Sequence, residues 1–223
     1  MHRFTDRADA GRQLATALAG TVTDPDALVL GLPRGGLPVA AEIAAALGLA
    51  LDVLCVRKLG VPLQRELAMG AVASGGAVVR NEDVLATVPG AASAFARVLA
   101  DERVELERRE RAYRGDAPAP DMRARTVIVV DDGLATGATM EAAVRALRSL
   151  DARSIVVAVP VGAPEAVARI REHADQVVCL RTPDFFGSVG SCYEEFDQTR
   201  DEEVAALLHA ARRRAAGEGA NDA

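Results

Sequence analysis

The chain has 223 residues, enough to bury one sizeable core and little more than one domain. Half of it (50%) is hydrophobic, 26% is charged and only 3% is aromatic, a composition that excludes disorder and calls for a globular fold. The net charge of -6 argues against a nucleic-acid partner, which needs a clustered excess of Lys and Arg. Three cysteines without C-x-x-C or Cys/His spacing argue against a disulfide framework or a zinc site and fit a reducing cytoplasm.

The first residues mix acid and base and lack an apolar signal-peptide core, so no export is expected. Asp6 or Asp9 can cap a helix that runs to about Ala19 and stops at Gly20. Ala27 to Gly31 reads as a short strand ended by Leu32-Pro33-Arg34-Gly35-Gly36, with a helix over Pro38 to Leu47 and a strand over Leu51 to Val56 behind it. The apolar stretch Leu37 to Val56 is interrupted by Pro38, Glu42, Gly48 and Asp52, which favours helix and buried strand over a membrane span. After a polar loop, Met69 to Ala73 and Ala77 to Val79, separated by Ser74-Gly75-Gly76, read as a hairpin or a strand with a bend.

Ala91 to Tyr113 is helical and dense in charge, and Gly115, Pro118 and Pro120 end it. Strand 126–130, helix 138–149, strand 154–159, helix 164–172 and strand 176–180 follow. That alternation predicts an α/β fold with a parallel sheet of about five strands and right-handed crossovers. Pro183 to Gln198 is irregular, a helix covers Glu202 to about Arg213, and residues 212–223 are expected to be a disordered tail behind a single domain of residues 1–211. His2, His173 and His209 are scattered and read as structural or surface residues.

The chemistry concentrates in Thr126-Val-Ile-Val-Val-Asp131-Asp132-Gly133-Leu134-Ala135-Thr136-Gly137-Ala138-Thr139. A β-branched run is a buried strand whose carboxyl end opens where doubly wound sheets bind ligands. Two adjacent carboxylates there are costly unless they meet donors or a cation, and vicinal ribose hydroxyls supply such donors. The small-residue turn Ala135 to Thr139 leads into a helix, so its free amides, the dipole and two Thr hydroxyls converge on an anion. Diol and phosphate together describe a 5-phosphoribosyl group.

Strand, Asp-Asp, then x-x-x-Thr-Gly-x-Thr resembles the phosphoribosyl pyrophosphate motif of type I phosphoribosyltransferases, and Phe4 to about Leu208 looks like a bacterial branch of unassigned acceptor. The resemblance implies a homodimer that uses Mg²⁺, phosphoribosyl pyrophosphate and a small-molecule acceptor of the nucleobase class, with no membrane and no nucleic acid. It gives Asp131 and Asp132 the ribose hydroxyls and Ala135, Thr136, Gly137, Ala138 and Thr139 the 5-phosphate. Arg34, Gly35 and Gly36 take the pyrophosphate, in a loop that often holds a non-proline cis peptide. Arg57 and Lys58, the latter the one lysine in the chain, would contact the leaving group. Arg65 and Glu66 would belong to a lid, the alternative being a solvated turn.

Phe185, Phe186 and Tyr193 fall in the family's hood, where they could stack on a planar acceptor; local core packing is the commoner role of such rings. Ala135 replaces the aspartate that hypoxanthine-guanine enzymes carry at the start of the phosphate loop, which disfavours that substrate class. A non-catalytic sensor of phosphoribosyl pyrophosphate or nucleotide is the competing reading.

Overall fold

The structure is a computed structural model that describes residues 3–217, with the side chain of Arg65 outside that description. The expectations on His2, on the Arg65 side chain and on residues 218–223 therefore fall outside the described residues.

Asp6 caps the first helix, α1 (Arg7–Leu18), accepting a hydrogen bond from the Asp9 amide at 2.7 Å. β1 (Leu28–Gly31), α2 (Gly36–Leu47) and β2 (Ala50–Val53) form the expected strand–loop–helix–strand unit. β6 (Thr126–Val130), α5 (Ala138–Ser149), β7 (Ser154–Val161), α6 (Pro164–Arg171) and β8 (Gln176–Arg181) continue it, and α7 (Asp201–Ala215) closes the chain. The five strands pair in parallel in the order β2-β1-β6-β7-β8.

Strand residues alternate between two cores. Val29, Ile128, Val130 and Val156 face α1, α2, α4 (Ala91–Arg114) and α7, while Leu28, Leu30, Val127, Val129 and Val157 face α5 and α6. Strands covered on both faces read as unbroken apolar runs, which is the pattern that β6 shows. From β1 the chain winds toward β2, and from β6 it winds the other way toward β8, so the sheet reverses direction between β1 and β6. Their register sets Gly31 opposite Val130. The Leu32–Gly36 loop and Asp131-Asp132 thus leave the same edge at the same level.

A second sheet of three antiparallel strands, β3 (Val56–Val61), β4 (Gln64–Ala73) and β5 (Val78–Arg80), packs against α4 and α5. Here two expectations need correction. The strand foreseen over Leu51 to Val56 is two strands, because the chain leaves the parallel sheet at Leu54 and Cys55. Both of these residues are buried, so hydrophobicity gives no sign of the break. The polar loop expected before Met69 is instead a hairpin turning at Pro62 and Leu63. A short helix, α3 (Glu82–Thr87), capped by Asn81, precedes the charged helix. At the far end α7 is helical through Ala215, so residues 212–215 are not the loose tail expected from sequence.

The charged helix α4 carries its own counter-charges. Glu105 accepts from Arg108 and Arg109, and Arg114 reaches Glu110 at 2.7 Å and buried Asp52 on β2 at 2.6 Å. Removing Asp52 would leave the buried guanidinium with Glu110 as its remaining counter-charge and so would destabilise the fold. No helix among the described residues is long and apolar enough to cross a membrane.

Candidate active site

The site is built where β1 and β6 end. Asp131 and Asp132 leave β6 and are partly accessible, and a Leu134–Gly162 bridge fastens the following turn to the end of β7. The Leu134 amide donates to Val161 O and the Ala163 amide donates to Leu134 O, both at 2.9 Å. Gly133 is held against Val189 of the loop 183–198, and an added Cβ there would sit 2.7 Å from that side chain.

Each carboxylate has one oxygen engaged and one open. Asp131 Oδ1 accepts from the Asp132 amide at 2.9 Å, and Asp132 Oδ2 accepts from Arg7 Nε at 2.9 Å. Among the described residues no donor reaches the remaining oxygen of either group. Burial pushes Asp131 well above its ordinary pKa, and the neighbouring charge of Asp132 adds to this. Asp132 is also raised by burial, against which the Arg7 charge and hydrogen bond act. A pair with open oxygens and a raised pKa favours a ligand that brings hydroxyl donors or a cation.

Gly137 caps α5 with φ 75°, a left-handed conformation that glycine adopts readily. Ala135, Thr136 and Thr139 are exposed. The amides of Thr136, Gly137 and Thr139 meet no acceptor among the described residues, and the Ala138 amide makes only a long contact to Thr136 Oγ1 at 3.4 Å. From outside, Arg169 of α6 donates to Thr136 O at 3.2 Å. The turn is an amide nest with the positive end of α5 behind it.

The Leu32–Gly36 loop lies on the acid pair, and the peptide between Pro33 and Arg34 is cis. A Cβ on Gly35 would overlap Asp132 Oδ2, and one on Gly36 would lie 2.5 Å from Val130 O. Both glycines are therefore required by close approach to β6, a reason that the sequence does not display. Arg34 is half-buried with its guanidinium 4.0 Å from Asp201 of α7, whose carboxylate also accepts from Tyr113 at 2.9 Å.

A cleft of about 760 Å³ opens beside these loops, lined among others by Pro33, Arg57, Lys58, Glu66, Glu102 and Thr139. Asp131 and Asp132 lie outside its lining. Arg57 and Lys58 thus stand within β3 rather than at the end of a parallel strand. Arg57 is held by Glu102 of α4 at 2.6 Å, whereas Lys58 is exposed and makes no ion pair among the described residues. Glu66 is exposed on β4.

The three hood aromatics divide. Tyr193 is 2% exposed, packed against Phe4 and Phe196 with ring centroids 5.5 and 5.0 Å away, and its hydroxyl donates to Asp132 O at 2.6 Å. It supports the acid pair and offers no open ring face to an acceptor. Phe186 packs at the edge of the same cluster, while Phe185 is 98% exposed. Sequence reasoning missed Arg7, which sits far from the motif in the chain and looks there like an ordinary first-turn residue of a helix.

The family model described as the phosphoribosyl transferase domain matches residues 4–196. A Mycobacterium tuberculosis protein named as a candidate phosphoribosyl transferase is 48% identical over 223 residues, covering 100% of this chain and 50% of its own length. This chain thus spans about half of that relative. The crystal structure of the TT1426 protein of Thermus thermophilus is 45% identical with a TM-score of 0.84, over 92% of this chain and 97% of that one. A Neisseria gonorrhoeae protein crystallised with bound ppGpp shares the fold at 18% identity and a TM-score of 0.50, over 95% of this chain and 97% of its own. Edge geometry and similarity agree, and the chain belongs to the phosphoribosyl transferase domain family.

Proposed function

We propose that this protein transfers a 5-phosphoribosyl group from phosphoribosyl pyrophosphate to a nitrogenous acceptor of the nucleobase class, releasing pyrophosphate. The observation that carries the reading is the pair of open carboxylate oxygens, one on Asp131 and one on Asp132, beside an amide nest at the start of α5. Two acceptors at the end of one strand suit vicinal hydroxyls, and the nest of Ala135 to Thr139 suits a phosphate joined to the same sugar. Loss of pyrophosphate leaves oxocarbenium character at C1, so the protein's task is to hold the sugar and neutralise the departing charge. Arg34 and Lys58 are the cations for that, and Arg57 joins them once it exchanges Glu102 for phosphate. The β3–β4 hairpin with Arg65 and Glu66 serves as the lid that excludes water.

Mg²⁺ fits this donor set, since open carboxylate oxygens are hard ligands. Among the described residues no group of three or more His, Cys, Asp or Glu could hold a metal by itself. The ion would therefore rest mainly on the donor's own oxygens, close to Asp131 and Asp132. When bound it supplies charge neutralisation to the leaving pyrophosphate.

The test is calorimetry with phosphoribosyl pyrophosphate and Mg²⁺, followed by pyrophosphate release over a panel of bases, with Asp131→Asn/Asp132→Asn as control. Binding and release that both vanish in the control support the reading. Binding without release on any acceptor identifies a donor-sensing protein, and failure to bind overturns both readings.

A further inference from the structure

We propose that Arg7 is a positioning residue of the sugar site, orienting Asp132 so that its second oxygen meets a pentose hydroxyl; this rests on the proposed phosphoribosyl reading. The placement begins with the N-terminal segment, which pairs with the hood. The Phe4 amide donates to Cys192 O at 2.9 Å, the Glu194 amide to Phe4 O at 2.8 Å and the Glu195 amide to Thr5 O at 2.9 Å. Asp6 then caps α1, so Arg7 is its first residue and stands over the end of β6.

The guanidinium is fixed by three contacts. Nε donates to Asp132 Oδ2 at 2.9 Å, one terminal nitrogen donates to Asp197 O at 2.7 Å, and the group stacks 3.9 Å above the Phe196 ring. Only 12% of the Arg7 side chain and 16% of the Asp132 side chain are exposed, against 48% and 72% for the surface pair Arg80 and Glu82.

An arginine fork can take both oxygens of a carboxylate and so leave none for a ligand. Arg7 instead gives one nitrogen to Oδ2 and spends the fork on a backbone carbonyl. Gly35 adds to the division, because its missing Cβ leaves room for Oδ2 next to the loop. Tyr193 holds the carbonyl of the same residue at 2.6 Å. Asp132 is thereby fixed at its backbone and at one oxygen, and Oδ1 meets no donor among the described residues. A carboxylate fixed in advance loses little freedom when a hydroxyl binds, which raises affinity for ligands that carry the diol and for those alone.

The prediction separates ligands by chemistry. Ribose 5-phosphate and phosphoribosyl pyrophosphate carry the diol, whereas inorganic pyrophosphate does not. In Arg7→Met, calorimetry should show the first two weakened about ten- to a hundredfold, the range of a hydrogen bond to a charged group. Pyrophosphate with Mg²⁺ should keep its affinity within about twofold, and Arg7→Lys, which restores the charge, should recover part of the loss. Should Arg7→Met not fold, Phe196→Leu removes the ring under the guanidinium while keeping Arg7, and the same selective loss is expected. Unchanged pentose affinity, or an equal fall for all three ligands, overturns the proposal. Failure of the unmodified chain to bind either pentose ligand overturns the underlying phosphoribosyl reading instead.

Discussion

The groups of the proposed site ride on two kinds of framework. Asp131 and Asp132 leave a strand buried along its whole length, with neighbours on both sides and a glycine loop pressed on them. Lys58 and Glu66 leave a hairpin whose tip, Leu63, is 102% exposed, and among the described residues Lys58 has no ion pair. The first framework suits groups that must have one shape before the ligand arrives. The second suits groups that act after binding, because the exposed tip of a hairpin can move without unpacking the parallel sheet.

The comparison breaks most visibly at Gly35. Its φ of -61° and ψ of -29° are open to any residue, so Gly35→Ala is expected to fold. The new Cβ nevertheless overlaps Asp132 Oδ2, and the carboxylate must turn. Affinity for phosphoribosyl pyrophosphate should fall on the order of a hundredfold, the upper range for losing a charged hydrogen bond. If alanine leaves affinity unchanged, the acid pair is not the rigid half of the site.

Lys58→Ala tests the other half. A cation that meets charge only as the bond to pyrophosphate breaks contributes to turnover and little to ground-state binding. The expectation is a fall in kcat on the order of a hundredfold with the donor Kd nearly constant, measured by pre-steady-state pyrophosphate release beside calorimetry. A parallel loss of affinity would mean that Lys58 is already in place before closure.

These two halves were unequally legible in the sequence. The span 126–139 is contiguous, and its strand and helix boundaries could be read from a β-branched run and a glycine before a helix. The partners of that span could not. Arg7 meets Asp132 across 125 positions, and helix periodicity explains Arg7 fully without that contact. Leu54 and Cys55 are as buried as the strands they separate, so the turn out of the parallel sheet leaves no trace in hydrophobicity. Tyr193 is an aromatic residue in a loop, a description that fits a buried prop more often than an acceptor platform, and the Phe4 and Phe196 rings decide for the prop.

A smaller effect concerns stability. Burial raises Asp131 well above its ordinary value of 3.8, and Asp132 is raised in the same direction. A carboxyl whose folded pKa exceeds its unfolded pKa binds more protons when folded, so its contribution is full at low pH and is lost as pH rises through the folded value. Without ligand the buried pair therefore costs stability as pH rises, in keeping with a site retained for binding. Asp131→Asn should melt higher than the unmodified chain at pH 8 and close to it at pH 4. Equal differences at both pH values would show that the buried charge has no such cost.

The smallest expected change, at Leu63, separates lid from turn. This residue holds a φ of 72°, a left-handed conformation that costs a leucine roughly 1–2 kcal/mol, and it exposes its whole side chain. A plain hairpin turn at that position favours glycine, aspartate or asparagine. Two penalties at one residue are explained if the apolar tip has a surface to meet when the hairpin closes over the cleft. Leu63→Gly should then leave stability equal or raise it by up to about 1 kcal/mol, while turnover drops several-fold and donor Kd stays constant. Turnover equal to that of the unmodified chain would make the β3–β4 turn an ordinary solvated one, and the movable half of the site would reduce to Lys58 alone.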